Sequence, residues 1–260
     1  MPAAGLDAVL FDLGHTLMDW TWDDDLLVAA HRAGLEAVDR YTPVAAEALT
    51  ARYLREAQLQ DWEAVEEVEY PPLVRTMLAD VGVEVDEDEL ARFLDAEHAA
   101  WAPARKVASM SEALLDSIHD RGLETGLVSN AWDPRWLLER DLAEMGLLSR
   151  LDAIVFSSEV GVRKPRPEIF YRALDELGVE PARAVFVGDR LEADIAGGRA
   201  LGMTTIQAMW FRAEETDTIE PDYRAFTMVD VLTIIERLVA PKTRTAPGFA
   251  ARVHRDERRT

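Results

Sequence analysis

The sequence predicts an α/β fold: a doubly wound parallel sheet interrupted by an inserted, all-helical second unit. Three observations predict it. Short apolar runs alternate with helical patterns through the second half of the 260-residue chain. The stretch from Asp23 to Ala102 carries helical patterns without a convincing strand. Several of the apolar runs end on small polar or acidic residues, and ligands collect at the strand ends of such sheets.

Taken in order, Ala8 to Phe11 (AVLF) is short, apolar and followed by Gly14, as a buried parallel strand would be. The next four segments place apolar residues at helical spacing: DDDLLVAAHRAGLEAVDRY, AAEALTARYLREAQLQDWEAVEEV, PPLVRTMLADVG and DEDELARFLDAEHAAW. They open on acidic or proline start signals, and Asp23, Asp24 and Asp25 supply negative charge at a helix start. Alternation then resumes. Helix SMSEALLDSIHDRG precedes strand TGLVSN, helix PRWLLERDLAEMG precedes strand AIVFSS, and helix PEIFYRALDELG precedes strand AVFVGD. Helix LEADIAGGRALG, strand TTIQAMW and helix MVDVLTIIERLVA complete the pattern. This divides the chain into a Rossmann-like core of residues 1–22 and 103–240, a helical cap of 23–102, and a basic tail of 241–260 expected to be disordered.

Charge limits the partners. Asp and Glu number 49 against 28 Lys and Arg, a formal net charge of −21, which repels nucleic acid and anionic membranes. An anionic substrate therefore needs locally arranged cations. No cysteine is present, so thiolate chemistry and cysteine metal sites are excluded. The N-terminal stretch lacks the basic flank of a secretory signal and no apolar run reaches membrane-span length, so a cytoplasmic location is expected.

The strand ends carry Asp12, then Ser129 and Asn130, then Asp189, while Lys164 follows AIVFSS in the loop GVRKPRP. Ser129 and Asn130 alone read as capping residues. As a set, the five point at one crevice. Lys164 is one of only three lysines, and Pro165 keeps it extended while Pro167 pre-sets the next helix. Trp20 and Trp22, at the hinge between core and cap, read as buried packing, with stacking on a substrate ring the other possibility; Trp62 and Trp101 read the same way.

Through FDLGHTL, LVSNA, SSEVGVRKPRPEIF and VGDRLEADIAGGRALGM, in that order, the sequence resembles the haloacid dehalogenase superfamily of phosphatases and related hydrolases. Residues 23–102 stand where that family carries a helical cap. The resemblance implies a magnesium-dependent phosphatase of a small phosphorylated metabolite, monomeric or homodimeric. Asp12 would attack phosphorus and become an aspartyl phosphate. Mg2+ would be held by Asp12, Asp189 and the backbone carbonyl of Gly14, with Asp194 a metal-shell or helix N-terminal residue. Ser129 and the Asn130 backbone would bind phosphate oxygens. Lys164 would neutralise the phosphoryl group and keep Asp12 ionised.

One position departs from the pattern. Typical phosphatases of the family carry a second aspartate two residues after the nucleophile, to protonate the leaving alcohol and activate water; here that residue is Gly14. His15, a residue of DWTWDDD or a metal-held water is the expected substitute. Two alternatives stand beside the phosphatase reading: a dehalogenase or phosphonate hydrolase of the same fold, and, from another class, a binding or regulatory protein that grips a phosphorylated ligand with little or no turnover. The retained acidic motif VGDRLEAD favours a phosphorus substrate over a halogenated one.

Overall fold

A computed structural model describes residues 5–59, 64–216 and 218–239. Six parallel strands form its main sheet: β1 (Ala8–Phe11), β4 (Glu124–Ser129), β5 (Ala153–Phe156), β6 (Ala184–Gly188), β7 (Thr204–Ala208) and β8 (Tyr223–Ala225). Their order is β5-β4-β1-β6-β7-β8. Strand β1 lies centrally, with Phe11 opposite both Leu127 and Val187. Every residue of β1, β5 and β6 is buried, as a sheet covered on both faces requires.

Helices cover the two faces. On one, α5 (Ser111–His119) and α10 (Met228–Val239) bury Leu114, Leu115, Ile118, Val231 and Ile235 against Val9 and Phe11. On the other, α8 (Pro167–Leu177) packs Ile169, Phe170 and Leu174 on Leu10 and Phe186. Proline in the first turn and Gly178, at φ 66°, after the last residue bound α8. Strand order reverses beside β1, so its carboxyl end and those of β4 and β6 open on one crevice.

Four helices between the first and second sheet strands gather round a second apolar cluster: α1 (Asp24–Ala37), α2 (Pro43–Leu59), α3 (Tyr70–Asp80) and α4 (Glu87–Ala100). Asp23 caps α1, and a reciprocal Asp86–Glu89 capping box starts α4. Of the helical stretch expected to run through Val68, Pro43–Leu59 is helix and residues 64–68 are not. Residues 65–67 instead lie along the loop after β5: Glu67 N–H donates to the Gly161 carbonyl (3.0 Å) and Arg163 N–H to that of Val65 (2.7 Å). Trp62 and the tail 241–260 lie outside the described residues.

A two-stranded antiparallel ribbon, β2 (Met18–Trp20) with β3 (Arg105–Val107), carries the chain into and out of these helices. Neither strand is apparent in the sequence, being three residues each. AIVFSS also divides: the strand ends at Phe156 and Ser157 begins a one-turn helix, α7 (Ser157–Val160). LEADIAGGRALG is a wide π turn over Leu191–Ala196, followed by the short α9 (Gly197–Ala200). α6 (Arg135–Glu144), after β4, completes the set.

Candidate active site

Asp12 follows β1 directly, its N–H donating to the Val187 carbonyl at 2.9 Å. The loop beyond turns sharply, with His15 at φ 55°, in the left-handed region. Trp210 Nε1 donates to the Thr16 carbonyl (3.0 Å) and fixes that turn. Lys164 reaches in from the loop after α7, and its Nζ lies 2.6 Å from Asp12 Oδ1 and 2.7 Å from Asp194 Oδ1. Asn130 positions that lysine through its side chain: Oδ1 accepts from the Lys164 N–H (2.8 Å), and Nδ2 donates to the Lys164 carbonyl (3.3 Å).

The π turn explains where Asp194 sits. Asp194 and Ile195 N–H both donate to the Arg190 carbonyl, and Asp194 Oδ2 accepts back from Arg190 N–H at 2.9 Å. The wide turn lays the carboxylate against Gly188, where a Cβ would come within 2.4 Å of Oδ2. Only glycine fits the end of β6. Asp12, Asp189 and Asp194 each offer a carboxylate oxygen within 4.8 Å of the others, and all three are buried.

Such a cluster is electrostatically costly. Burial, with the charges of Asp12 and Asp194, pushes Asp189 up to about 7. Burial also pushes Asp12 up, against the Lys164 ammonium. The lysine loses solvation as well, but Asp12 and Asp194 outweigh this and hold it above its ordinary range. Arg212 Nη2 lies 2.6 Å from Asp189 Oδ2. Even so, Asp189 Oδ2 and Asp194 Oδ1 are buried without a hydrogen bond of good geometry. Three hard oxygen donors, two of them poorly satisfied, fit a divalent cation of the magnesium type.

These groups floor a cavity of about 540 Å3 that also takes in Gly14, His15, Ser129 and Asn130. The structure thus brings together Asp12, Gly14, Ser129, Asn130, Lys164, Asp189 and Asp194. His15 lines the cavity as well, with Nδ1 3.1 Å from Asp19 Oδ1. Arg163 is a contact to the helical side, 3.7 Å from Glu67, while Arg166 is exposed beside Glu168. Sequence reasoning missed Arg212, which no strand-end pattern marks, and the side-chain role of Asn130.

The wall facing this floor comes from the helical unit and its ribbon: Trp20, Trp22, Tyr53, Tyr70, Glu97 and Trp101. Burial pushes Glu97 up to about 7, against a hydrogen bond from Tyr70 Oη at 2.8 Å. His98 bridges Asp133 (3.0 Å) and Asp141 (2.8 Å), and Arg105 also lies 2.8 Å from Asp141.

The family model for haloacid dehalogenase-like hydrolases matches residues 6–202, and the chain belongs to that family. A glyceraldehyde 3-phosphate phosphatase of Methanopyrus kandleri is 32% identical over 44% of this chain and 48% of its own length. A ribulose-1,5-bisphosphate 5-phosphatase of Halopiger xanaduensis is 31% identical over 51% and 54%. The chain spans about half the length of these two relatives. It is 28% identical to a phosphoglycolate phosphatase of Xylella fastidiosa over 88% of this chain and 91% of that one. Two crystal structures share the fold at 22% identity and a TM-score of 0.60: a phosphatase of Thermococcus onnurineus, covered to 98%, and a 2-haloacid dehalogenase of Pseudomonas syringae, covered to 99%. They match 88% and 89% of this chain. Among the described residues, no helix is long and apolar enough to cross a membrane.

Proposed function

We propose that this chain is a magnesium-dependent phosphatase of a small phosphorylated metabolite, acting through an aspartyl phosphate on Asp12. The buried cluster of three carboxylates around one lysine carries this reading. A dehalogenase, attacking a neutral carbon–halogen bond, gains nothing from three acids at one point. A phosphate dianion with a divalent cation balances them. The phosphatases among the relatives support the same choice.

Asp12, Asp189 and Asp194 would hold the cation, with the Gly14 carbonyl beside them. When bound it would offset the charge of the phosphoryl oxygens and of the attacking carboxylate. Lys164 orients Asp12 and would take phosphoryl charge, with Ser129 and the Asn130 backbone as donors to the remaining oxygens. An Asp12 oxygen bonds to phosphorus as the ester P–O bond breaks, and the leaving alkoxide takes one proton. Water then cleaves the acyl phosphate, returning the carboxylate and releasing phosphate. Gly14 has no side chain to move either proton. We assign residues 23–102 to a cap over the core of 1–22 and 103–240, excluding water from the crevice.

The test is phosphate release from p-nitrophenyl phosphate and from an alkyl phosphate, with and without Mg2+, for the wild type and Asp12→Asn. Metal-dependent release from both esters, lost in Asp12→Asn, is expected. Specific binding of a phosphate ester without release from either would mark a ligand-binding protein instead.

A further inference from the structure

Indoles make up much of the lid side of the cavity. Trp20 on β2, Trp22 before α1 and Trp101 after α4 meet with ring centroids 5.3–6.1 Å apart, and Tyr53 of α2 stacks on Trp22 at 6.4 Å. All four line the same cavity as Asp12. A core-packing role predicts burial, yet Trp22, touching the other three rings, is 42% exposed and Trp20 and Trp101 are only half-buried. The Trp22 Nε1 donor is already used, 2.7 Å from Asp24 Oδ1, so what the residue offers the cavity is a π face.

The polar groups around this wall narrow the choice of ligand. Of the cations near this wall, Arg105 and His98 are both committed to Asp141, His98 also to Asp133, and Arg163 lies 3.7 Å from Glu67. They are poorly placed to receive a second carboxylate or phosphate. Glu97 adds an acid rather than a base. A second aromatic pair, Tyr70 stacked on Trp132 at 5.0 Å and 11°, stands in the same lining. At about 540 Å3 the space falls in the range that takes drug-sized ligands, about 300–1,000 Å3.

We propose that Trp20, Trp22 and Trp101, backed by the buried Tyr53, form an aryl-binding subsite, so that the preferred substrate is the phosphate ester of an alcohol carrying a planar aromatic or heteroaromatic ring. This rests on the phosphatase reading above and names its substrate class. The ring lies against the indole faces while the phosphate rests over Asp12 and Lys164. Trp22 is the specificity-determining residue, because it links the other three rings.

Recognition must be separated from leaving-group chemistry, since aryl oxygens leave easily. The esters to compare are 2-phenylethyl, 2-cyclohexylethyl, n-butyl and choline phosphate, all alkyl alcohols at the reacting oxygen, assayed with Mg2+. Phenylethyl phosphate is expected to exceed butyl phosphate in kcat/KM by about tenfold and to exceed its cyclohexyl counterpart as well. Trp22→Ala should bring the phenyl-to-butyl ratio close to one, and Trp22→Phe should keep part of it. Equal rates for phenyl and cyclohexyl esters would reduce the subsite to bulk packing, and a preference for choline phosphate would make it a cation cage; either overturns the proposal. Binding of 2-phenylethylphosphonate against butylphosphonate, read by quenching of tryptophan fluorescence, needs no turnover. If no ester is hydrolysed but the phenyl phosphonate binds selectively and through Trp22, the subsite stands and the phosphatase reading falls. If all four esters are hydrolysed alike, the phosphatase reading stands and the subsite falls.

Discussion

Gly14 is the residue where the sequence departs from its family, and the structure shows that its backbone does not demand glycine. Its φ is not in the left-handed region, and a Cβ built there meets nothing within 4 Å. His15, one position on, is the residue that carries the strained backbone. Gly14→Asp is therefore sterically admissible, unlike any side chain at Gly188. If Asp12 chemistry lacks only a proton carrier, Gly14→Asp should raise turnover of an alkyl phosphate by about 10²-fold, the lower end of general acid–base catalysis, and change an aryl phosphate far less. Alkyl phosphate turnover unchanged from the wild type would show that another group already moves the proton. That Asp12, Ser129, Asn130, Lys164 and Asp189 share a crevice was legible because each stands at the end of a strand or in the connection beyond one, and parallel strands end together. Arg212 was not legible, since its meeting with Asp189 depends on how a long loop after β7 folds back. Nor was the open setting of Trp20, Trp22 and Trp101: hydrophobic pattern says which residues leave water, not which stop halfway.

Elements were legible in proportion to their length. The helices of eleven residues or more and the buried sheet strands stand where periodicity predicted them, except that residues 64–68, expected to continue α2, are not helical. The three-residue strands β2, β3 and β8 were not, because so short a run has no period and pairs only through its partner. The π turn escaped for another reason: its i→i+5 bond is set by where Asp194 must point, not by side-chain propensity. Among the long helices, α1 and α4 form the closest pair. Gly34 of α1 lies under the Phe93 ring of α4, where a Cβ would come within 2.6–2.8 Å of three ring carbons. Phe93 is only 1% exposed and has little room to retreat. Helix propensity alone makes Gly34→Ala stabilising by about 1 kcal/mol. Overpacking a buried contact costs about 1–3 kcal/mol, so the net change should be destabilising, by up to about 2 kcal/mol. Denaturant unfolding of Gly34→Ala checks the sign; a stabilised variant would mean that the two helices can part without loss.

For the whole molecule, the question is what couples the helical unit to the sheet. His98 is one buried link: it sits near the end of α4 with its two ring nitrogens on Asp133 and Asp141, which follow β4. Burial lowers its pKa, but those two carboxylates prevail against Arg105 and raise it to about 9. An unfolded histidine titrates near 6.5, so this interaction stabilises fully below that pH and is lost as pH rises through about 9. Its full size is on the order of 3 kcal/mol. Two other buried groups of this region act at lower pH. Glu97, raised by burial to about 7, withdraws its stabilisation as pH rises from its ordinary range toward neutrality. Buried His31, lowered to about 4, favours the fold above 6.5 and ceases to as pH falls through 4. Between pH 7.5 and 9 these two, and Asp189 at about 7, are mostly past their titration, while His98 is passing through its own. Unfolding free energy of the wild type should therefore fall across that window. His98→Gln should start lower and stay flat, because glutamine carries no proton to lose yet still offers a donor to one aspartate. Equal slopes for the two proteins would remove His98 as the coupling group. A flat variant with the predicted wild-type decline would show that one buried imidazolium ties the helices to the strand ends where the chemistry lies.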